Sequence, residues 1–517
     1  MPVLRRLRDE GAWGVLNSTI PALTPPAWAS LVTGTNPGKH GIYHFRHAPA
    51  GDYYQRRLNN SRDIGSPTLW QRLNQHGKRV GVFNVPLSYP VYPVDGFITS
   101  DALSPEAVGL STYPPKLASE FKDFVIDVFN YPSALPGSAN YAKEMLAFVE
   151  ENERVLVHHA DVALRLMKTQ SWQFFMVVWL VLDRLQHYCW KYSDPALESS
   201  LKNDEEKQIG ARVRTLLRQL DAQIGRLVDA AGDDCALAIV SDHGFGPMPG
   251  EFFHTNRWLE QQGYLRLLPA WHWKRLWYGN IPRLWKSRLG VPIDSKFGLV
   301  DWRRTKVWAD PLESRAVGIR INLTARYPEG IVSESEWKPL RERIAAELLE
   351  LKSPDGGKQF AEIHLGEMLY RGAHADAGPD LVAILSKPFD VPPNFRRDVR
   401  AEQLITSNRH VLRDGGHEPE GIVLFRGANI NTATKLSPQP IESVAATVLQ
   451  LFGLPIGDDI DAEPIHAALN EEFLRAYPPR RESEAAKPMS SSSSQPEYSE
   501  KDSALVEERL RKLGYLD

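Results

Sequence analysis

Ala236-Leu-Ala-Ile-Val-Ser-Asp-His-Gly-Phe-Gly246 is the stretch on which the fold turns. Its apolar run is too short for an ordinary helix, and it stops at Asp242-His243. A strand ending in a carboxylate beside an imidazole puts both where open α/β sheets bind ligands, beyond the carboxyl ends of their strands. Gly244 and Gly246 would permit a sharp turn there. An ordinary Asx turn would leave the same letters.

Upstream, Phe174-Phe-Met-Val-Val-Trp-Leu-Val-Leu182 is a second apolar run, expected as a buried strand, and it ends at Asp183 with His187 four positions on. An aspartate at a strand's end and a histidine one helical turn later can converge on one metal, although a helix cap followed by a half-buried histidine reads the same way. Downstream, Asp414-Gly-Gly-His417-Glu-Pro-Glu-Gly421 sets a histidine in a glycine-rich loop ahead of the strand-like Gly421 to Phe425. Together the three loops offer only aspartate and histidine. That donor set suits Zn²⁺ or a similar divalent ion better than Mg²⁺ or a thiolate site. Near the start, Thr24 precedes Pro25 and Pro26 and is expected to be the N-cap of a helix. Its hydroxyl would lie at the positive end of the helix dipole, beside backbone N–H groups that favour phosphate. Next to a divalent cation it would lose its proton readily and act as a nucleophile.

The rest of the chain limits the setting. Its 61 basic residues against 64 acidic ones give a net charge of -3, so no broad basic field for nucleic acid is expected. Cys189 and Cys235 are the only cysteines and have no C-x-x-C spacing, which points to a reducing, cytoplasmic setting. No run is long enough for a membrane span. The alternation of apolar runs with helical patterns predicts strand-then-helix units and a largely parallel sheet. From about 263 to 374 the character changes to scattered tryptophans (Trp271, Trp273, Trp277, Trp285, Trp302) and a helical pattern over Glu334 to Leu351, read as an inserted cap. The expected organisation is a core over 1–262, the insertion over 263–374, the core resumed over 375–475 by Leu381 to Leu385 and Gly421 to Phe425, a serine-rich linker over 476–502, and a terminal helix over 503–517. Val506, Leu510 and Leu513 share one face of that helix and could dock it.

Thr24-Pro-Pro-Ala-Trp-Ala-Ser-Leu-Val-Thr-Gly-Thr-Asn-Pro-Gly-Lys-His-Gly-Ile42 resembles the nucleophile segment of type I phosphodiesterases and nucleotide pyrophosphatases in the alkaline phosphatase superfamily. More narrowly it is similar to the microbial phosphohydrolase or phosphomutase branch, and the order Asp183-x-x-x-His187, Asp242-His243-Gly244, Gly416-His417-x-Pro-x-Gly421 matches as well. The resemblance runs from residue 2 to about 467. It implies an alkaline-phosphatase-like α/β fold with a central, mostly parallel sheet flanked by helices and an inserted cap subdomain. It further implies two divalent ions, zinc in the first instance with manganese as the alternative. Asp183, His187 and His417 would bind one, Asp242, His243 and Thr24 the other. Attack by Thr24 would give a phosphothreonine that water hydrolyses.

Two departures stand out. Members of the family open with a strand carrying Asp-Gly whose aspartate completes the second metal site; here the sequence starts in the helix that should follow, which suggests a misplaced start or a fragment. Phe45 stands where the nucleotide pyrophosphatase pattern has a phosphate-holding asparagine, which argues against assuming nucleotide substrates. The expected activity is hydrolysis of mono- or diesters of a small organic phosphate. A phosphomutase or phosphotransferase, and a degenerate non-catalytic relative lacking one metal ligand, are the rivals. A sulfatase is disfavoured because Thr24-Pro-Pro-Ala-Trp has no Cys/Ser-x-Pro-x-Arg pattern. His40 and His254 are read as structural, and Arg326 as either a phosphate contact or an ion pair.

Overall fold

A computed structural model describes residues 1–47, 51, 53, 57–105, 109–126, 130–268, 299–408, 412–483 and 498–513, without the side chains of 512 and 513. Trp271, Trp273, Trp277 and Trp285, the linker residues 484–497, the side chain of Leu513 and residues 514–517 lie outside them. By internal contacts the chain divides into two compact units. The first comprises Met1–Phe45, Leu58–Met248 and His410–Leu516, and the second Arg46–Arg57 and Pro249–Arg409.

The first unit opens with helix α1 (Pro2–Asp9), which has proline in its first turn, where a missing N–H costs nothing. Its next two free amides, of Val3 and Leu4, donate to the two oxygens of the buried Asp221 carboxylate at 2.9 Å each. Strand β1 (Ala12–Asn17) follows. Helix α2 (Thr24–Thr33) comes next, stopped by Gly34 in the left-handed conformation at φ 73°. All ten residues of α2 are buried, as an almost uncharged, small-residue helix allows.

Strands β2 (Val80–Phe83), β3 (Gly96–Thr99) and β4 (Thr112–Tyr113) lead to the long helix α3 (Tyr141–Thr169), then β5 (Phe174–Val177), helices α4 (Val181–Ser193) and α5 (Asp204–Ala231), and β6 (Leu237–Val240). A short strand β7 (Gly244–Pro247) leads out of this part, and the chain returns through β8 (Gly415–Glu418), β9 (Glu420–Arg426), β10 (Thr434–Lys435), β11 (Gln439–Pro440) and helix α6 (Ser443–Leu451), which packs on α2. A last helix, α7 (Glu500–Leu513), ends the described chain.

The strands form a four-stranded sheet in the order β4-β3-β2-β5 and a five-stranded sheet in the order β10-β1-β9-β6, with β11 also on β1. Parallel pairing holds β2 to β3 and to β5, whereas β9 runs antiparallel to both β1 and β6. β5 and β6 each end a sheet, and their apolar residues are accordingly only half-buried or exposed, where those of the central β2 are all buried.

In the second unit an antiparallel sheet orders Val307–Pro311, Ala316–Ile321, Leu381–Leu385 and Phe360–Leu365, with helix Glu334–Glu350 packed on it. Leu381–Leu385, expected to resume the core beside Gly421 to Phe425, belongs here instead. Four of its five residues are buried, so its composition announces a core strand without saying which sheet. Trp302 is buried among Tyr53, Trp308 and Tyr327, with its ring stacked 4.0 Å from that of Tyr53. It is core and not a substrate-facing tryptophan. His254 bonds Thr406 at 2.8 Å, and Arg326 forms a mostly buried ion pair with Asp380.

Candidate metal centre and nucleophile

Two expectations about local structure need correction. The apolar run before Asp183 is strand only through Val177; by Val181 the chain is helical, so Asp183 and His187 both ride on α4, one turn apart. An acidic residue in a helix's first turn is favoured by the dipole, and the i, i+4 spacing puts both side chains on one face. Thr24 is the first residue of α2 and not its cap. The first helical bond runs from the Ala27 amide to the Leu23 carbonyl, which makes Leu23 the capping position. Pro25 and Pro26 then occupy the positions whose N–H groups a capping side chain would serve. No cap is needed, and the Thr24 hydroxyl is left buried with no hydrogen bond among the described residues. The same prolines leave the first turn with only the Thr24 amide to offer an anion.

Gly244 and Gly246 form a strand and not a sharp turn. β7 pairs with β8 in register Gly244↔Glu418, His417↔Phe245, which brings His243 and His417 together. Glycine is required by close approach: a Cβ on Gly244 would meet the Glu420 carbonyl oxygen at 2.1 Å, and one on Gly415 the Gln186 carbonyl oxygen at 2.2 Å. The second contact seats β8 directly on the turn of α4 that carries His187.

Asp183, His187, His243 and His417 converge. Asp183 Oδ1 lies 3.3 Å from His417 Nε2 and 3.7 Å from each of His187 Nε2 and His243 Nε2. The Nε2 atoms of His187 and His417 are 3.0 Å apart, and the rings of His243 and His417 stack at 3.7 Å. Each imidazole presents its other nitrogen to a backbone carbonyl: His417 Nδ1 to Ala22 at 3.2 Å, His187 Nδ1 to Gly415 at 3.2 Å, His243 Nδ1 to Gly244 at 3.1 Å. A carbonyl can only accept, so His417 and His243 carry a proton on Nδ1 and turn Nε2 toward Asp183, whereas His187 Nδ1 also faces the Arg413 guanidinium, which can only donate.

Burial, with the Arg413 guanidinium next, holds His187 well below the usual imidazole range. Burial and His243, against Asp183, push His417 down to about 4. Burial would raise the Asp183 carboxyl, but the His187, His417 and His243 rings outweigh it and keep it well below the carboxylate range. One carboxylate and imidazole nitrogens within reach of one another form a donor set that could hold a cation. Asp242 stands beside the group, its buried Oδ2 making no hydrogen bond and lying 3.5 Å from His243 Nε2. Burial pushes it up to about 6. Thr24 touches none of the five directly in these contacts; its segment reaches them through the Ala22 carbonyl on His417.

Three neighbours were not identified from the sequence. Phe245 packs against His187, His417 and His243 and shields them. Arg413 places a guanidinium nitrogen 2.8 Å from His187 Nδ1. A guanidinium can only donate, so His187 Nδ1 is its acceptor. Asp414 repairs a break in α4, where Cys189 leaves the helical conformation at φ -132°: its carboxylate accepts from the Trp190 and Lys191 amides at 2.8 and 3.0 Å. Its own amide donates to the His187 carbonyl at 2.9 Å. The only sequence signal was their place before Gly-Gly-His417.

This mixed α/β chain, with an Asp/His cluster and a buried threonine opening a helix, is by its family a phosphoric ester hydrolase. The chain belongs to the type I phosphodiesterase / nucleotide pyrophosphatase family, whose profile matches residues 1–404. No curated protein sequence matches it. Among solved structures it is similar to murine ectonucleotide pyrophosphatase / phosphodiesterase 5, at 12% identity over 88% of this chain and 90% of that one, with a TM-score of 0.42. Phosphonoacetate hydrolase from Sinorhizobium meliloti 1021, in complex with phosphonoformate, gives 15% identity over 86% and 88%, with a TM-score of 0.45.

Proposed function

We propose that the chain hydrolyses mono- or diesters of a small organic phosphate, with Thr24 as nucleophile and a divalent-cation centre built from Asp183, His187, His417, Asp242 and His243. The observation that carries this is the convergence of the His187, His243 and His417 Nε2 atoms upon Asp183 Oδ1, at 3.3 to 3.7 Å. Two ions are the reading adopted, zinc first and manganese second, with Asp183, His187 and His417 at one and Asp242, His243 and Thr24 at the other. In its support, Asp242 Oδ2 and Thr24 Oγ are buried oxygens that make no hydrogen bond among the described residues. Bound ions would supply positive charge to stabilise the attacking and leaving oxygens.

The chain's own groups do the rest. Thr24 Oγ attacks phosphorus, the P–O bond to the alcohol breaks, and the alcohol departs with a proton, leaving phosphothreonine. Water then cleaves the new P–O bond and frees Thr24. The two free cysteines are in keeping with a reducing compartment.

The test is hydrolysis of p-nitrophenyl phosphate and bis-p-nitrophenyl phosphate by the purified chain, with acid-quenched peptide mapping for phosphothreonine. Turnover that disappears in Thr24→Ala, with phosphate trapped on the Thr24 peptide, supports the reading. Turnover retained in Thr24→Ala would sink it.

A further inference from the structure

The last described helix reaches the residue next to the nucleophile. Ser499 caps α7, its hydroxyl accepting from the Asp502 amide while Asp502 accepts from the Ser499 amide, both at 3.2 Å, so the helix start is locally specified. On one face of α7, Val506 and Leu510 are 0% and 2% exposed; Leu505, on the other, is 41% exposed. The buried face packs into one cluster with Leu23, Phe45 and Leu58. Polar contacts fix its register. The Arg509 guanidinium donates to the Ser104 carbonyl at 2.7 Å and to those of Ala102 and Pro105, and the Tyr498 hydroxyl donates to the Leu103 carbonyl at 2.8 Å.

Leu23 lies between the two atoms that matter. Its carbonyl accepts the first bond of α2, and Thr24 follows it. The Ala22 carbonyl before it holds His417. Leu23 has no side-chain cap to stiffen this entry, so its conformation depends on what its side chain packs against.

We propose that α7 is a built-in clamp for the nucleophile segment, in which Val506 and Leu510 are positioning residues acting through Leu23 on Thr24 and on the Ala22–His417 contact. The role of Thr24 rests on the function proposed above. With the clamp displaced, Leu23 gains rotamer freedom and the hydroxyl no longer keeps its attack geometry, an error that costs roughly 10- to 100-fold in rate.

The test uses the full chain carrying Val506→Asp and Leu510→Asp together, with Leu505→Asp as control. Hydrogen–deuterium exchange at the Leu23 and Ala27 amides is expected to quicken by about tenfold or more in the double variant and stay unchanged in the control, since a buried contact of this size is worth at least a factor of ten. kcat should fall by about tenfold or more with KM changed less than about twofold, and a synthetic peptide of residues 498–513 added in trans should restore both readouts. Where circular dichroism shows the double variant unfolded, Arg509→Ala, which removes only the carbonyl contacts, takes its place with the same expectations. Unchanged exchange at Leu23 and Ala27 in a folded variant overturns the clamp. A wild type that hydrolyses no phosphoester overturns the function instead, and the exchange measurement still decides the clamp.

Discussion

At the scale of single residues, Thr24 separates reactivity from stability. Its hydroxyl makes no hydrogen bond among the described residues, so Thr24→Ala should abolish turnover while shifting the unfolding free energy by less than about 1 kcal/mol, as measured by urea denaturation. Asp414 is the opposite case. Asp414→Ala leaves two buried helix amides without an acceptor, at a cost of about 1–3 kcal/mol, and should loosen His187; Asp414→Asn should recover part of both, read by denaturation and by metal titration. The residues that cluster were legible as candidates because aspartate and histidine at the ends of apolar runs carry their chemistry in their type. Arg413 and Asp414 were not, since a charged pair before two glycines has no meaning until a broken helix and an over-subscribed imidazole are seen beside it.

At the scale of elements, backbone approach governs the centre. Gly415→Ala adds one methyl group where β8 touches α4, forcing apart the elements that carry His417 and His187. The variant keeps every ligand yet should bind zinc at least about tenfold more weakly by isothermal titration, a drop that a merely decorative glycine would not give. Helix α3 carries a separate pH dependence. Its buried His159 donates through Nε2 to the Val125 carbonyl at 2.8 Å and stacks on Phe124, and burial pushes it from 6.5 down to about 3. Between those pH values the unfolded chain binds the extra proton, so stability is lost as pH falls from about 6.5 toward 3, at up to about 1.4 kcal/mol per pH unit. His159→Gln should flatten that part of a stability–pH curve; an unaltered slope would refute the assignment. Apolar runs told strand from helix only roughly, because Phe174 to Leu182 is uniformly apolar across the point where β5 gives way to α4.

At the scale of the whole molecule, the order of motifs announced the family, and the profile match over residues 1–404 bears that out. What composition could not announce was the partition of the chain. Arg46–Arg57 joins a unit otherwise built from Pro249–Arg409, with Tyr53 stacked between Trp302 and Tyr327, a long-range packing that leaves no local periodicity. Among the described residues no helix is long and apolar enough to cross a membrane. The half-buried Asp183 carboxylate among the buried His187, His243 and His417 is costly without a counter-charge, so chelation should lower the thermal midpoint as well as remove activity, and zinc or manganese should restore both.

The most direct measurement is the metal-to-protein ratio, by mass spectrometry, of the wild type and of His417→Ala after equilibration with zinc and removal of excess. The account predicts at least one tightly held ion per wild-type chain and its loss in the variant. A wild type that retains none, or a variant that retains as much, would contradict it.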